Sequence, residues 1–183
     1  VVDIARTNAF RYALGYVDGL AREYGVEREE LRAYAQRNCR GLHGIARAFD
    51  VFEHMDGRSD NGGESEARAA MILAGVAAPE LQVEITRPGN AGYYLADYGW
   101  QMPNGSWMLA ELHGLGKFED DAQNDPEHTA AKTYRAALMR DTNLRAMGHN
   151  VIHFKLSDTY DVKAFGSMMR GYGIPTTKPY ADS

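Results

Sequence analysis

Three acidic positions stand where a carboxylate needs a partner: Glu64 at the opening of a helix-like run, Asp97 inside a mostly apolar run, and Glu111 in Trp107-Met108-Leu109-Ala110-Glu111-Leu112-His113. An ionised carboxylate in an apolar strand is costly unless a cation or a set of hydrogen bonds compensates it. Two of them in neighbouring strands therefore suggest a shared divalent cation, because hard cations take oxygen ligands. A cation held in that way activates water and stabilises charge on a phosphoryl group, so the chemistry within reach is phosphodiester hydrolysis. Each residue also has a plainer reading. Asp97 alone reads as an edge-strand surface carboxylate, and Glu64 alone as a first-turn helix acid favoured by the helix dipole.

The elements that must position these residues follow from periodicity. Residues up to about Met55 read as helical, since apolar residues recur at three and four in Phe10, Leu14, Val17 and Leu20, and again in Leu42, Ile45, Phe49 and Phe52. Thr7 is the expected N-cap of the first of these helices. The stretch Asp56-Gly57-Arg58-Ser59-Asp60-Asn61-Gly62-Gly63 is dense in turn formers and reads as a domain boundary. The expected organisation is thus a helical N-terminal segment over 1–57 and a second domain over 58–183. In that second part Glu64 to Ala74 reads as a helix stopped by Gly75. Strands are expected at Leu81 to Thr86, Tyr93 to Trp100 and Ser106 to His113. The Pro103-Asn104-Gly105 turn makes the last two a hairpin, which sets Asp97 and Glu111 on adjacent antiparallel strands. A long helix from Thr129 to Met147 ends at Gly148, and Val151 to Leu156 supplies a fourth strand able to run parallel to a neighbour. The tail from Gly171, with Pro175 and Pro179, reads as irregular.

Five short signatures in order give the second part a family resemblance. These are Glu64-Ser65-Glu66-Ala67-Arg68 with Gly75, Pro79-Glu80-Leu81-Gln82-Val83, Asp97, Glu111-Leu112-His113-Gly114-Leu115-Gly116-Lys117-Phe118, and Arg140-Asp141-Thr142-Asn143-Leu144 followed by Gly148 to Phe154. From Glu64 to Asp158 the chain resembles the Vsr-like branch of the PD-(D/E)xK nuclease superfamily, the very-short-patch-repair endonucleases and their bacterial relatives. The resemblance implies a restriction-endonuclease-like α/β fold, with a mixed central sheet flanked by helices after the helical N-terminal segment. It also implies a Mg²⁺- or Mn²⁺-dependent DNA endonuclease, in which Asp97 and Glu111 bind the metal, the Leu112 carbonyl is a third donor, and Glu64 approaches the same ion directly or through water. Lys117 would stabilise charge at the scissile phosphate or orient the attacking water. One departure stands out: the relatives carry aspartate in the Glu-x-Asp-Gly pattern where this chain has His113.

That histidine titrates near neutral pH and reads as a metal ligand or general base, or equally as a sheet-face histidine bonded to a neighbour. Lys117 has a solvated surface position as its alternative. Lys132, Arg135, Arg140 and Arg145 lie on the long helix, with Lys132 and Arg135 spaced to share a face, so Lys132, Arg135 and Arg140 are the expected phosphate contacts or else a solvated surface. Tyr93, Tyr94, Tyr98, Trp100 and Trp107 could stack on bases or pack the sheet. His43, His54, His128, His149 and His153 show no metal-ligand spacing.

Composition sets outer bounds. With 183 residues, 44% hydrophobic and 25% charged, the chain is long enough to bury a core. It has neither a run of membrane-spanning length nor a signal-peptide pattern, so a cytoplasmic location and no membrane partner are the default expectation. The single Cys39 excludes an internal disulfide and argues against a structural zinc site. A formal net charge of −5 argues against nonspecific coating of nucleic acid but not against a nuclease, because a bound metal recruits phosphate. The second functional class is a nuclease-fold domain without catalysis that binds DNA or protein. Relatives with the nearest signatures often follow a winged-helix segment and resemble type IV toxin–antitoxin regulators. A chain that starts at Val1 fits such a C-terminal part of a longer regulator.

Overall fold

The computed structural model describes residues 1–90, 92–113 and 126–178, the side chains of Asn90 and of 126–134 excepted. It has the expected mixed α/β architecture, a four-stranded mixed sheet preceded in the chain by a helical segment. Two compact units divide the chain, one of Val1–Ala78 with Thr159–Ser183 and one of Pro79–Asp158. They do not part at the turn-rich stretch near residue 57, which lies inside the first unit. No helix among the described residues is long and apolar enough to cross a membrane.

The first unit is built from α1 (Val2–Thr7), α2 (Phe10–Tyr24), α3 (Arg28–Asn38), α4 (Ile45–Glu53) and α5 (Gly62–Leu73), with α7 (Val162–Gly171) from the C-terminal segment. The three-and-four spacing does what periodicity requires: Phe10, Ala13, Leu14 and Val17 of α2 meet Ala48, Val51 and Phe52 of α4 and Ala69 and Ile72 of α5 in one core. Each large aliphatic or aromatic side chain so buried contributes about 1.5–3 kcal/mol. Gly25, at φ 63°, ends α2 with its N–H on the Ala21 carbonyl. At Gly44, φ 75°, a Cβ would lie 2.1 Å from the Arg6 carbonyl oxygen, so no other residue fits. Thr7 does not cap α2. It closes α1, where its hydroxyl donates to the Asp3 carbonyl one turn back, and Ala9 holds the cap position without a side-chain bond.

The turn-rich segment is fastened rather than loose. The Asp56 N–H donates to Asp18 Oδ1, Arg22 Nη1 to the Ser59 carbonyl, and Arg68 Nη1 to the His54 carbonyl. Arg68 also holds both oxygens of Asp18 at 2.9 and 2.7 Å, a pair whose side chains are 6% and 0% exposed. In the C-terminal segment α7 follows an Asp161 cap and buries Phe165 and Met169, one turn apart. The tail is not wholly irregular either, since Thr176 bridges to Val76 and Ala77 and Thr177 exchange backbone bonds with Pro175 and Gly75.

The second unit holds the sheet, in the order β1 (Glu80–Thr86), β2 (Tyr93–Gln101), β3 (Trp107–His113) and β4 (Asn150–Lys155), with α6 (Pro126–Ala146) between the last two. The first three strands are antiparallel and β4 runs parallel to β3, as the helical crossover allows. At the β2–β3 turn Gly105 takes φ 80° and Asn104 Oδ1 accepts from the Ser106 N–H and hydroxyl. Leu144 of α6 packs with Val83, Ile85, Ala96, Leu109 and Val151 on one sheet face. Tyr98 and Trp100, read as possible base-stacking residues, are buried, and the Tyr98 ring meets Phe154 at 5.9 Å.

Candidate polar site on the sheet

The site begins where the β1–β2 pairing keeps one register but skips Gln82 and Asp97. Partners run Glu80↔Gly99 and Leu81↔Tyr98, then resume at Val83↔Ala96, and between them Gln82 takes a left-handed φ of 52°. Ala96 belongs to the Leu144 cluster, and a Cβ on Gly99 would also strike Val83 and Leu109 of that cluster. Residues three apart on a regular strand face opposite ways. The alternation therefore shifts at Asp97, opposite the left-handed Gln82, within an unbroken register. Asp97 Oδ2 accepts from the Leu112 N–H at 2.8 Å, which ties the aspartate to the residue after Glu111.

Glu111, on β3, is clasped by Arg140 of α6. Arg140 Nη1 donates to Oε2 at 2.8 Å, while Nη2 donates to Oε1 and to the Leu95 carbonyl. The pair is largely covered, with 14% of the Glu111 side chain and 26% of the Arg140 side chain exposed. Burial raises the Glu111 pKa above the usual carboxylate value; the Arg140 bonds and charge pull it down, and the charge of Asp97 pushes it further up. Glu111 and Asp97 are thus electrostatic neighbours, as adjacent strands require.

Beside Glu111 in the β3–β4 ladder stands His153. Its Nε2 lies 2.8 Å from Asp141 Oδ2, and its ring stacks on His113 at 4.7 Å between centroids and 11° between planes. His153 Nδ1 is buried and has no hydrogen-bond partner among the described residues. Burial and the neighbouring His153 charge hold the His113 pKa below its ordinary 6.5. Asp97, Glu111, His113, Arg140, Asp141 and His153 therefore form one polar cluster in the second unit.

Glu64 belongs to the first unit and is buried. Its Oε2 accepts from the Asp60 N–H and its Oε1 from Asn61 Nδ2, while Asn61 Oδ1 caps the Glu64 N–H, so it does the work of a first-turn helix acid. Lys117 lies outside the described residues. Arg135 is exposed on α6; Lys132 is on the same helix, its side chain outside the description. Sequence reasoning passed over Asp141 and His153. The one signal was an imidazole at the middle of the Val151–Lys155 alternation, in line with Val151 on the α6 face.

Among the described residues no three His, Cys, Asp or Glu side chains come together as a ready metal site. Asp97 and Glu111 match a hard divalent cation in kind. In place, however, one Asp97 oxygen serves Leu112 and both Glu111 oxygens serve Arg140. The guanidinium supplies the positive charge that the carboxylate needs.

No protein-family model and no solved structure matches the chain. It is similar to Uncharacterized protein MT2308 of Mycobacterium tuberculosis (strain CDC 1551 / Oshkosh) and to Uncharacterized protein Rv2248 of Mycobacterium tuberculosis (strain ATCC 25618 / H37Rv), in each case 35% identical over 100 residues. The match takes in 54% of this chain and 36% of each relative, so the chain spans well under half the length of the curated relatives it matches. Neither name states an activity.

Proposed function

We propose that the second unit is a PD-(D/E)xK-like nuclease domain that hydrolyses phosphodiester bonds of DNA with Mg²⁺ or Mn²⁺. The observation that carries this reading is the juxtaposition of Asp97 and Glu111 on adjacent strands, with Glu111 largely covered and its pKa raised. A carboxylate perturbed as Glu111 is, beside two histidines and an arginine, is found at functional sites more than elsewhere. Asp97 and Glu111 would hold the ion, which when bound supplies Lewis acidity and an activated water. The chain's own groups have separable tasks. Asp97 is aimed by the Leu112 N–H, Arg140 offers a planar fork suited to phosphate oxygens, and His113, kept neutral, offers a proton acceptor at the end of β3.

A second reading has its own observation. Arg140 already neutralises Glu111, and His113 replaces an oxygen ligand, which fits a nuclease-fold domain that binds DNA or protein without cutting it, within a toxin–antitoxin or transcriptional regulator. The two part on one experiment. Incubation of supercoiled plasmid with the unmodified chain and Mg²⁺ or Mn²⁺ should give nicked and linear DNA, and Asp97→Asn or Glu111→Gln should abolish the cutting without unfolding the chain. No cleavage by the unmodified chain, together with metal binding gained on His113→Asp, would leave the binding domain.

A further inference from the structure

Arg140 is held by three acceptors, the two Glu111 oxygens and the Leu95 carbonyl, and so occupies the place where a cation shared with Asp97 would bind Glu111. A guanidinium fork pairs with a carboxylate and with a phosphate through the same two parallel N–H bonds, and phosphate is an equally good partner. Arg140 keeps about a quarter of its side-chain surface exposed, so an incoming anion can reach it. If it let go of Glu111 with nothing else arriving, a largely buried carboxylate beside Asp97 would be left without compensation. Neither exchange is favourable alone. Phosphate arriving on Arg140 and a divalent cation arriving on Glu111 satisfy both groups together.

We propose that Arg140 is an exchangeable stand-in for the metal, so that the site loads a divalent cation only when a phosphate group takes over the guanidinium. The proposal rests on the hydrolytic reading above and adds its regulation: the site stays closed to free metal and opens on substrate. Binding linkage makes the coupling reciprocal, so the metal must tighten phosphate binding by the same factor.

Calorimetric titration of Mg²⁺ into the full chain tests it, with the Glu111→Gln chain run under the same conditions to subtract metal taken up by the added phosphate. Mg²⁺ affinity should rise about tenfold or more in the presence of a short DNA duplex or of inorganic orthophosphate, the arm that works identifying the source of the phosphate. A duplex with a methylphosphonate backbone, which lacks the charged oxygens, should give no rise. Arg140→Gln should bind Mg²⁺ without phosphate at the affinity the unmodified chain reaches with it. Arg140→Lys, which keeps the charge but cannot span both oxygens, should fall between and covers the case in which Arg140→Gln fails to fold. Equal Mg²⁺ affinity with and without phosphate, unchanged by either substitution, overturns the exchange while leaving a metal site. No Mg²⁺ binding by any chain under any condition overturns the exchange and the hydrolytic reading together.

Discussion

Burial lowers the pKa of two histidines near the sheet, His113 and His149, and one of them reports directly on folding. His113 is stacked on His153, so a proton on one ring opposes a proton on the other. His149 sits between α6 and β4, and its Nδ1 accepts the Trp107 N–H at 3.2 Å, a bond that only the unprotonated nitrogen can make. Burial holds the His149 pKa below 6.5. Its folded value thus lies under its unfolded one, so the contribution is fully present above about 6.5 and is lost as pH falls through 6.5 toward the lower folded value. The urea midpoint of the unmodified chain should therefore drop between pH 7.5 and 5. His149→Gln supplies an amide oxygen that accepts the same N–H and does not titrate, so this variant should show a shallower drop. Parallel pH curves for the two chains would mean that the Trp107 bond has no part in the dependence.

At the scale of elements, the break in alternation at Gln82 and Asp97 lies two residues from Gly99, where the strands leave no room for a side chain. A Cβ there would come within 2.8 Å of Val83 Cγ2, 3.0 Å of Trp107 and 3.2 Å of Leu109, so Gly99→Ala should cost about 1–3 kcal/mol by overpacking, read as a lower urea midpoint. A variant as stable as the parent would show that the strands have room to part. Most of these elements were legible from the sequence. Alternation and the Pro103-Asn104-Gly105 turn gave β2 and β3, and the apolar run after Gly148 gave β4, because a half-buried strand and a left-handed turn leave marks in residue type. The break at Gln82 left none: glycine or asparagine announces a positive φ, and Gln82 does not. Helix α7 escaped because only Phe165 and Met169 mark its buried face, and the Thr7 assignment failed because a hydroxyl can bond one turn back as readily as forward. Arg140 was expected as a phosphate contact on the long helix, while Asp141 and His153 became visible only when the β3–β4 register set His153 next to Glu111.

For the molecule as a whole, the turn-rich stretch that lies inside the first unit is held beside an ion pair that local reading could not see. Glycines and aspartates at 56–63 look like a linker, yet three hydrogen bonds fasten that stretch and its His54 neighbour to α2 and α5, and two of the three use Asp18 or Arg68, residues fifty positions apart. Such a pair contributes through what its loss leaves behind. Removing either partner strands a charge in a site with almost no exposure, so Asp18→Leu or Arg68→Met alone should cost about 3–5 kcal/mol. Removing both together leaves no stranded charge. Asp18→Leu with Arg68→Met in one chain loses the bonds to the Asp56 N–H and the His54 carbonyl but fills the site with apolar volume, so its cost should fall well short of the sum of the singles. Urea unfolding of the two single variants and the double variant measures this directly. A double variant whose loss equals that sum would show that each residue acts through its own contacts, and that the charge pair is not what fastens the segment.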